Sequence, residues 1–287
     1  MDGMQGLDGL KDYPLARRGM LMTGLISGFT LAVTKVEAQV IHTDAAGIDA
    51  GETKIPTTQG ELPGYYARPS GAGPFPVVLV IEEIFGVHEY IKDSCRRLAK
   101  LGYLAVAPEL YARIGDLSKM TDVNAIVRDV ITKTPDGQLL SDLDSTAKWA
   151  GGNKGDLARM GVTGWCRGGR NTWLYAAHNP ALKAAVAWYG PIIGQPSDIQ
   201  PKTVMDIAGE IKCPLLGMYG GQDTGIKVED VKAAEAKAKA AGKTVEIVVY
   251  PDAPHGFHAD YRPSYRKADA EDGWARMQAW FKKYGVA

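Results

Sequence analysis

Cysteine is scarce: the 287-residue chain has three, too few and too odd in number for a disulfide scaffold. Neither sign of charge is in surplus, because 33 Lys and Arg face 33 Asp and Glu. A nucleic-acid backbone needs clustered excess cations, so no nucleic-acid partner is expected. Long apolar runs are missing as well. The stretch from Gly19 to Val33 is broken by Gly24, Ser27, Gly28 and Thr30, and it falls short of the roughly 20 apolar residues of a membrane span. Internal repeats, heptads and low-complexity linkers do not occur. His255 and His258 are three apart but lack the acid and spacing of a metal motif such as H-E-x-x-H, so neither a metal nor a cofactor is expected. What is present is 45% hydrophobic and 23% charged residues. That mixture excludes a disordered chain, and the length suffices for a core without staples.

Residues 1–38 read differently from the rest. Arg17-Arg18 precede the mild apolar run, and Val36-Glu37-Ala38 supplies small residues where a signal peptidase reads. The paired arginines resemble a bacterial twin-arginine signal, with Ala16 and Met20 at positions where Ser or Thr and Phe are usual. The expectation is export to the periplasm, or a cytoplasmic location if the signal does not function. The segment holds four cations (Lys11, Arg17, Arg18, Lys35) and four acids (Asp2, Asp8, Asp12, Glu37), so its removal leaves the net charge at zero.

From residue 39 to 287 the pattern is that of one domain. Residues 39–63 are polar and turn-rich, and predict an antiparallel edge strand or two leading into Gly64–Arg68. Short apolar runs bounded by Gly or Pro follow at Val77–Ile81, Leu104–Ala107, Met160–Thr163, Ala184–Trp188, Leu215–Tyr219 and Val245–Val249. Strands buried on both faces read this way. Helical periodicity lies between them, over about 88–101 (Ile91, Cys95, Leu98 and Leu101 on one face), 142–150, 168–178 and 227–241. A last helix from about Tyr265 to Tyr284 carries Trp274, Met277 and Phe281. Such alternation predicts an α/β fold with a mainly parallel sheet flanked by helices on both faces.

The sharpest local signal is Gly164-Trp165-Cys166-Arg167-Gly168-Gly169, between a strand-like and a helix-like run. A nucleophile on a strand-to-helix elbow sits at strained φ/ψ, so residues two before and two after must lack bulk. A Gly-rich turn with a structural cysteine is the plain alternative. Two features argue against it. Gly220-Gly221-Gln222-Asp223 closes one later strand, and Pro254-His255-Gly256-Phe257 follows the next. Nucleophile, acid and histidine thus occur in order at three strand ends, the edge where ligands bind in open α/β sheets. In that arrangement Cys166 attacks an acyl carbon, His255 moves the proton, and Asp223 fixes the imidazole.

Together with Glu82-Glu83-Ile84-Phe85-Gly86-Val87 and Pro108-Glu109-Leu110-Tyr111-Ala112-Arg113, these motifs make the chain from about residue 50 resemble the dienelactone hydrolase (carboxymethylenebutenolidase) family of α/β-hydrolases. The resemblance implies hydrolysis of a small ester or lactone through a Cys166-Asp223-His255 triad and a covalent acyl-enzyme. It also implies an active-site glutamate at Glu83, beside the equally placed Glu82, and oxyanion donors at the backbone N–H groups of Ile84 and Arg167. Arg113 and Arg262 become candidates for binding an anionic substrate, since a guanidinium fork suits a carboxylate. A redox-sensing thiol, or an acyl transferase or peptidase with the same triad, remains open. A monomer or small homo-oligomer is expected. His42, His88 and His178 have no nameable partners, Cys95 and Cys213 read as structural, and Trp188–Pro191 as core packing.

Overall fold

The computed structural model describes residues 40–287, so the signal-like segment 1–38 lies outside the described residues. Eight strands form one sheet: β1 (Ile48–Thr57), β2 (Gly60–Pro69), β3 (Phe75–Ile81), β4 (Leu104–Pro108), β5 (Gly155–Trp165), β6 (Ala184–Trp188), β7 (Leu215–Gly220) and β8 (Val245–Tyr250). Their spatial order is β1-β2-β4-β3-β5-β6-β7-β8. The β1–β2 hairpin and the β2–β4 pair are antiparallel, and every pairing from β4 to β8 is parallel. The polar lead-in therefore forms two long strands that cap one side of the sheet.

The longer helices are α1 (Glu89–Lys100), α2 (Asp136–Gly152), α3 (Arg167–His178), α4 (Val228–Ala240) and α5 (Lys267–Lys283). They cover both faces. Along β5, Gly161 and Gly164 are three apart and so face opposite sides. A Cβ at 161 would meet Phe281 of α5, and one at 164 would meet Thr172 of α3. Strands β4, β6 and β7 are buried at every position, as the unbroken apolar runs predict.

Three expectations need correction. Helix α2 begins at Asp136 rather than near 142, because Pro135 sits at its N-cap with extended φ/ψ and Pro favours a helix start. Leu101 is not on the buried face of α1: it follows the helix end and is 44% exposed. Strand β8 is an edge strand, with Glu246 exposed and Ile247–Val249 only half-buried, so its apolar run does not mean burial on both faces. Among the described residues, no helix is long and apolar enough to cross a membrane.

Candidate active site

Strand β5 ends at Trp165 and α3 begins at Arg167, leaving Cys166 alone to make the turn at φ 56° and ψ −120°. A residue with a Cβ is strained there and stays only if its surroundings hold it. Two glycines make the bend possible. A Cβ on Gly164 would lie 2.5 Å from the Gly168 carbonyl oxygen, and one on Gly168 would lie 2.5 Å from that of Glu82. The elbow is thereby pressed against the end of β3, with Gly168 against the carbonyls of Ile81 and Glu82. The Cys166 N–H donates to the Trp188 carbonyl at 3.0 Å, and its carbonyl accepts from Gly169 at 2.9 Å. Cys166 is fully buried.

Asp223 stands in the turn after β7. Its Oδ1 accepts the N–H groups of Gly225 and Ile226 at 2.8 and 3.1 Å, which leaves Oδ2 for His255 Nδ1 at 2.7 Å. His255, on the loop after β8, also hydrogen-bonds Cys166. Burial alone would lower the imidazole pKa, but the Asp223 carboxylate and Cys166 outweigh it and push the value up to about 10. The three residues singled out in the sequence meet at the carboxyl edge of the sheet. This geometry can polarise a thiol and hold one imidazole tautomer.

Glu82 and Glu83 part ways after β3. Glu82 Oε1 accepts from Leu110 N–H at 2.8 Å, and its carboxyl pairs with Glu109. Burial and that second acid hold Glu82 well above the usual carboxylate range. Glu83 turns into the site. Its Oε1 accepts from Arg262 Nη2 at 2.9 Å, its Oε2 from Tyr261 Oη at 2.6 Å, and His88 Nε2 stands 3.3 Å from the same oxygen. Burial would raise its pKa, yet Arg262 and His88 draw it down to about 2. The Glu83–Arg262 pair is wholly buried. Arg262 is also charge-coupled to Cys166, and its Nη1 has no hydrogen-bond partner among the described residues.

Arg113 is placed otherwise. Its guanidinium is bound by Asp142 and by Thr57 Oγ1, and nothing ties it to the Cys166 cluster. His88 and Tyr261 were missed by sequence reasoning. His88 reaches Glu83 from five residues further along the same loop, and Tyr261 from the loop after β8; only Arg262, beside Tyr261, was singled out in the sequence. His178, without a nameable partner in the sequence, bonds Asp144 at 2.7 Å. His258 is no metal ligand here: its Nδ1 meets Tyr90 Oη at 2.6 Å, and burial and Arg97 push its pKa down to about 3. Cys95 and Cys213 are buried and unpaired. A cavity of about 400 Å3 opens beside the site, lined by Phe85, Gly86, Val87, His88 and Glu109 among others.

The sequence matches the profile of the dienelactone hydrolase family over residues 62–285. A "Putative carboxymethylenebutenolidase" of Methylorubrum extorquens is 57% identical over 275 residues, spanning 95% of this chain and 94% of its own. An Escherichia coli protein of the same name is 53% identical over 260 residues, covering 90% of this chain and 96% of its own. The crystal structure of a "Putative Dienelactone Hydrolase" from Klebsiella pneumoniae superposes with a TM-score of 0.81 at 53% identity, over 83% of this chain and 99% of that one. Fold, motif spacing and similarity over nearly the whole described length agree: the chain belongs to the dienelactone hydrolase family.

Proposed function

We propose that the protein hydrolyses ester or lactone bonds of a small molecule through Cys166, His255 and Asp223. The observation that carries this reading is the linked contact Asp223–His255–Cys166, with the cysteine held on a strained elbow. An imidazolium at His255 favours the thiolate, the nucleophilic form of Cys166. The sulfur adds to the acyl carbon, and the new oxyanion is met by the N–H groups of Ile84 and Arg167. Collapse breaks the bond to the leaving oxygen, which takes its proton from His255. Neutral His255 then draws a proton from water as that water attacks the thioester, releasing the acid and restoring the thiol. Asp223 keeps Nδ1 protonated throughout. Glu83 and Arg262 give the sulfur a fixed ionic neighbour.

A redox-sensing thiol is less well supported, because sensor cysteines are solvent-accessible and Cys166 is not. Turnover of 4-nitrophenyl acetate and of a small lactone by the wild-type and Cys166→Ala proteins tests the proposal. Loss of about 1,000-fold or more in kcat is expected for the variant. Wild-type rates in a folded Cys166→Ala protein would overturn the mechanism.

A further inference from the structure

Of the three arginines that the sequence places in or near the site motifs, two are neutralised. Arg262 is paired with Glu83 and Arg113 with Asp142. Arg167, the residue after the nucleophile, is different. Its Nη2 donates to Gln200 Oε1 at 2.8 Å, and it also bonds the Tyr111 hydroxyl. Both partners are uncharged. Gln200 cannot be turned round, because its Nε2 donates to the carbonyls of Ile131 and Thr134 at 2.7 and 2.8 Å. Among the described residues, no carboxylate lies within ion-pair distance of Arg167. The acid whose charge acts on it, Asp136, has both oxygens occupied by Arg170 at 2.8 and 2.9 Å.

The result is a net positive pocket. Arg167 and Arg170 line a small cavity of about 60 Å3, walled by the loop 191–196, and only one carboxylate offsets the two guanidiniums. The Nε of Arg167 is buried without a hydrogen-bond partner. Burial, with Arg170 as the next cause, pulls its pKa down to about 10, so the charge persists at neutral pH. A half-buried guanidinium beside a second one, with no carboxylate bonded to it and its buried Nε left unbonded, is costly to keep. It is explained if an incoming anion completes it. The wall of this cavity begins one residue after the nucleophile, at Arg167, whose N–H is the proposed oxyanion donor.

We propose that the Arg167 side chain is a specificity-determining residue, which receives an anionic group carried by the substrate in the pocket it forms with Arg170. A carboxylate suits the fork of a guanidinium and a cavity of this size. The inference rests on the hydrolase reading above, and one substitution serves both of its partial duties: changing the side chain leaves the peptide N–H in place.

Two matched pairs of activated esters test it. One pair carries the charge on the acyl side (4-nitrophenyl hydrogen glutarate against 4-nitrophenyl valerate), the other on the alcohol side (4-acetoxybenzoate against its methyl ester). For Arg167→Gln, the acidic-to-neutral ratio of kcat/KM is expected to fall about tenfold or more in at least one pair. Arg167→Lys should retain part of that preference. The ratio cancels any general damage to the elbow, and the melting temperature of Arg167→Gln should not drop, because an uncompensated charge is being removed. Glutarate affinity, measured by calorimetry on Cys166→Ala with and without Arg167→Gln, should weaken about tenfold in the double variant. Ratios and glutarate affinity that stay within about twofold would overturn the proposal while leaving the hydrolase reading intact. If the wild type turns over none of the esters, the hydrolase reading fails, and the glutarate titration alone decides for or against the anion site.

Discussion

Glu82 and Glu83 are chain neighbours, both wholly buried, and their carboxyls are driven in opposite directions. Glu82 meets Glu109, so one of the two must keep a proton; Glu83 meets Arg262 and stays ionised. Opposite pH dependences follow from linkage. The folded state holds Glu83 ionised down to about 2, so its contribution is full above the usual glutamate range near pH 4.3 and is lost as pH falls through about 4 to 2. The folded state holds the Glu82 proton above that range, so its contribution is present in acid and lost as pH rises. Glu82→Gln should therefore flatten the alkaline side of the melting-temperature profile. At pH 8 it should melt at or above wild type, by roughly 2–4 °C for each kcal/mol recovered. Thermal denaturation across pH 4–9 measures this, and a Glu82→Gln protein that melts well below wild type at pH 8 would contradict it.

Asp223→Asn should preserve the fold and remove the function. An amide can still accept the Gly225 and Ile226 N–H groups, but it presents an N–H where His255 needs an acceptor, which favours the wrong tautomer. The expected cost is about 10,000-fold in kcat on an activated ester. Circular dichroism and melting temperature should stay close to wild type.

Arg262→Met leaves the Glu83 carboxylate buried against Tyr261 without its cation. Removing one partner of a buried pair costs about 3–5 kcal/mol. Urea denaturation should show that loss in the single variant. The double variant with Glu83→Gln should recover much of it, because no charge then remains to be stranded. Equal stability of Arg262→Met and wild type would mean that the pair is not buried as described.

We propose, from Arg17-Arg18 and the mild apolar run after them, that the chain is exported. Expressed in a bacterium with an active twin-arginine pathway, the full chain is expected in the periplasmic fraction, and Arg17→Lys with Arg18→Lys should retain it in the cytoplasm. Equal fractionation of both would remove the export reading.

The legible part of this protein was the part encoded locally. Gly164, Cys166 and Gly168 lie within five residues of one another, and the steric demand of the elbow writes itself into that spacing. Apolar runs ending at Ile81, Trp188 and Tyr219 mark strands because they are buried on both faces. Strand β8 shows the limit: Val245–Val249 was read with the central strands, although Glu246 within it is exposed and the strand lies at the edge. The Glu83 environment was not legible, since Tyr261 and Arg262 reach it from almost 180 residues away. Nor was the engagement of Arg113, which Asp142 and Thr57 capture from two separate elements. Which of two neighbouring acids faces the nucleophile depends on tertiary contacts that no spacing rule contains.

The β1–β2 hairpin has a consequence for how the chain behaves before and after folding. Strand β4 is buried at all five positions and pairs with β3 on one side only; its other side is closed by β2, from Gly64 against Pro108 to Ala67 against Ala105. Without the hairpin, β4 would present a bare row of amide and carbonyl groups flanked by Leu104, Val106 and Ala107, the kind of open edge that recruits a second chain. The early segment thus acts as a stopper: variants that loosen it should be lost to aggregation before any change in their chemistry can be seen.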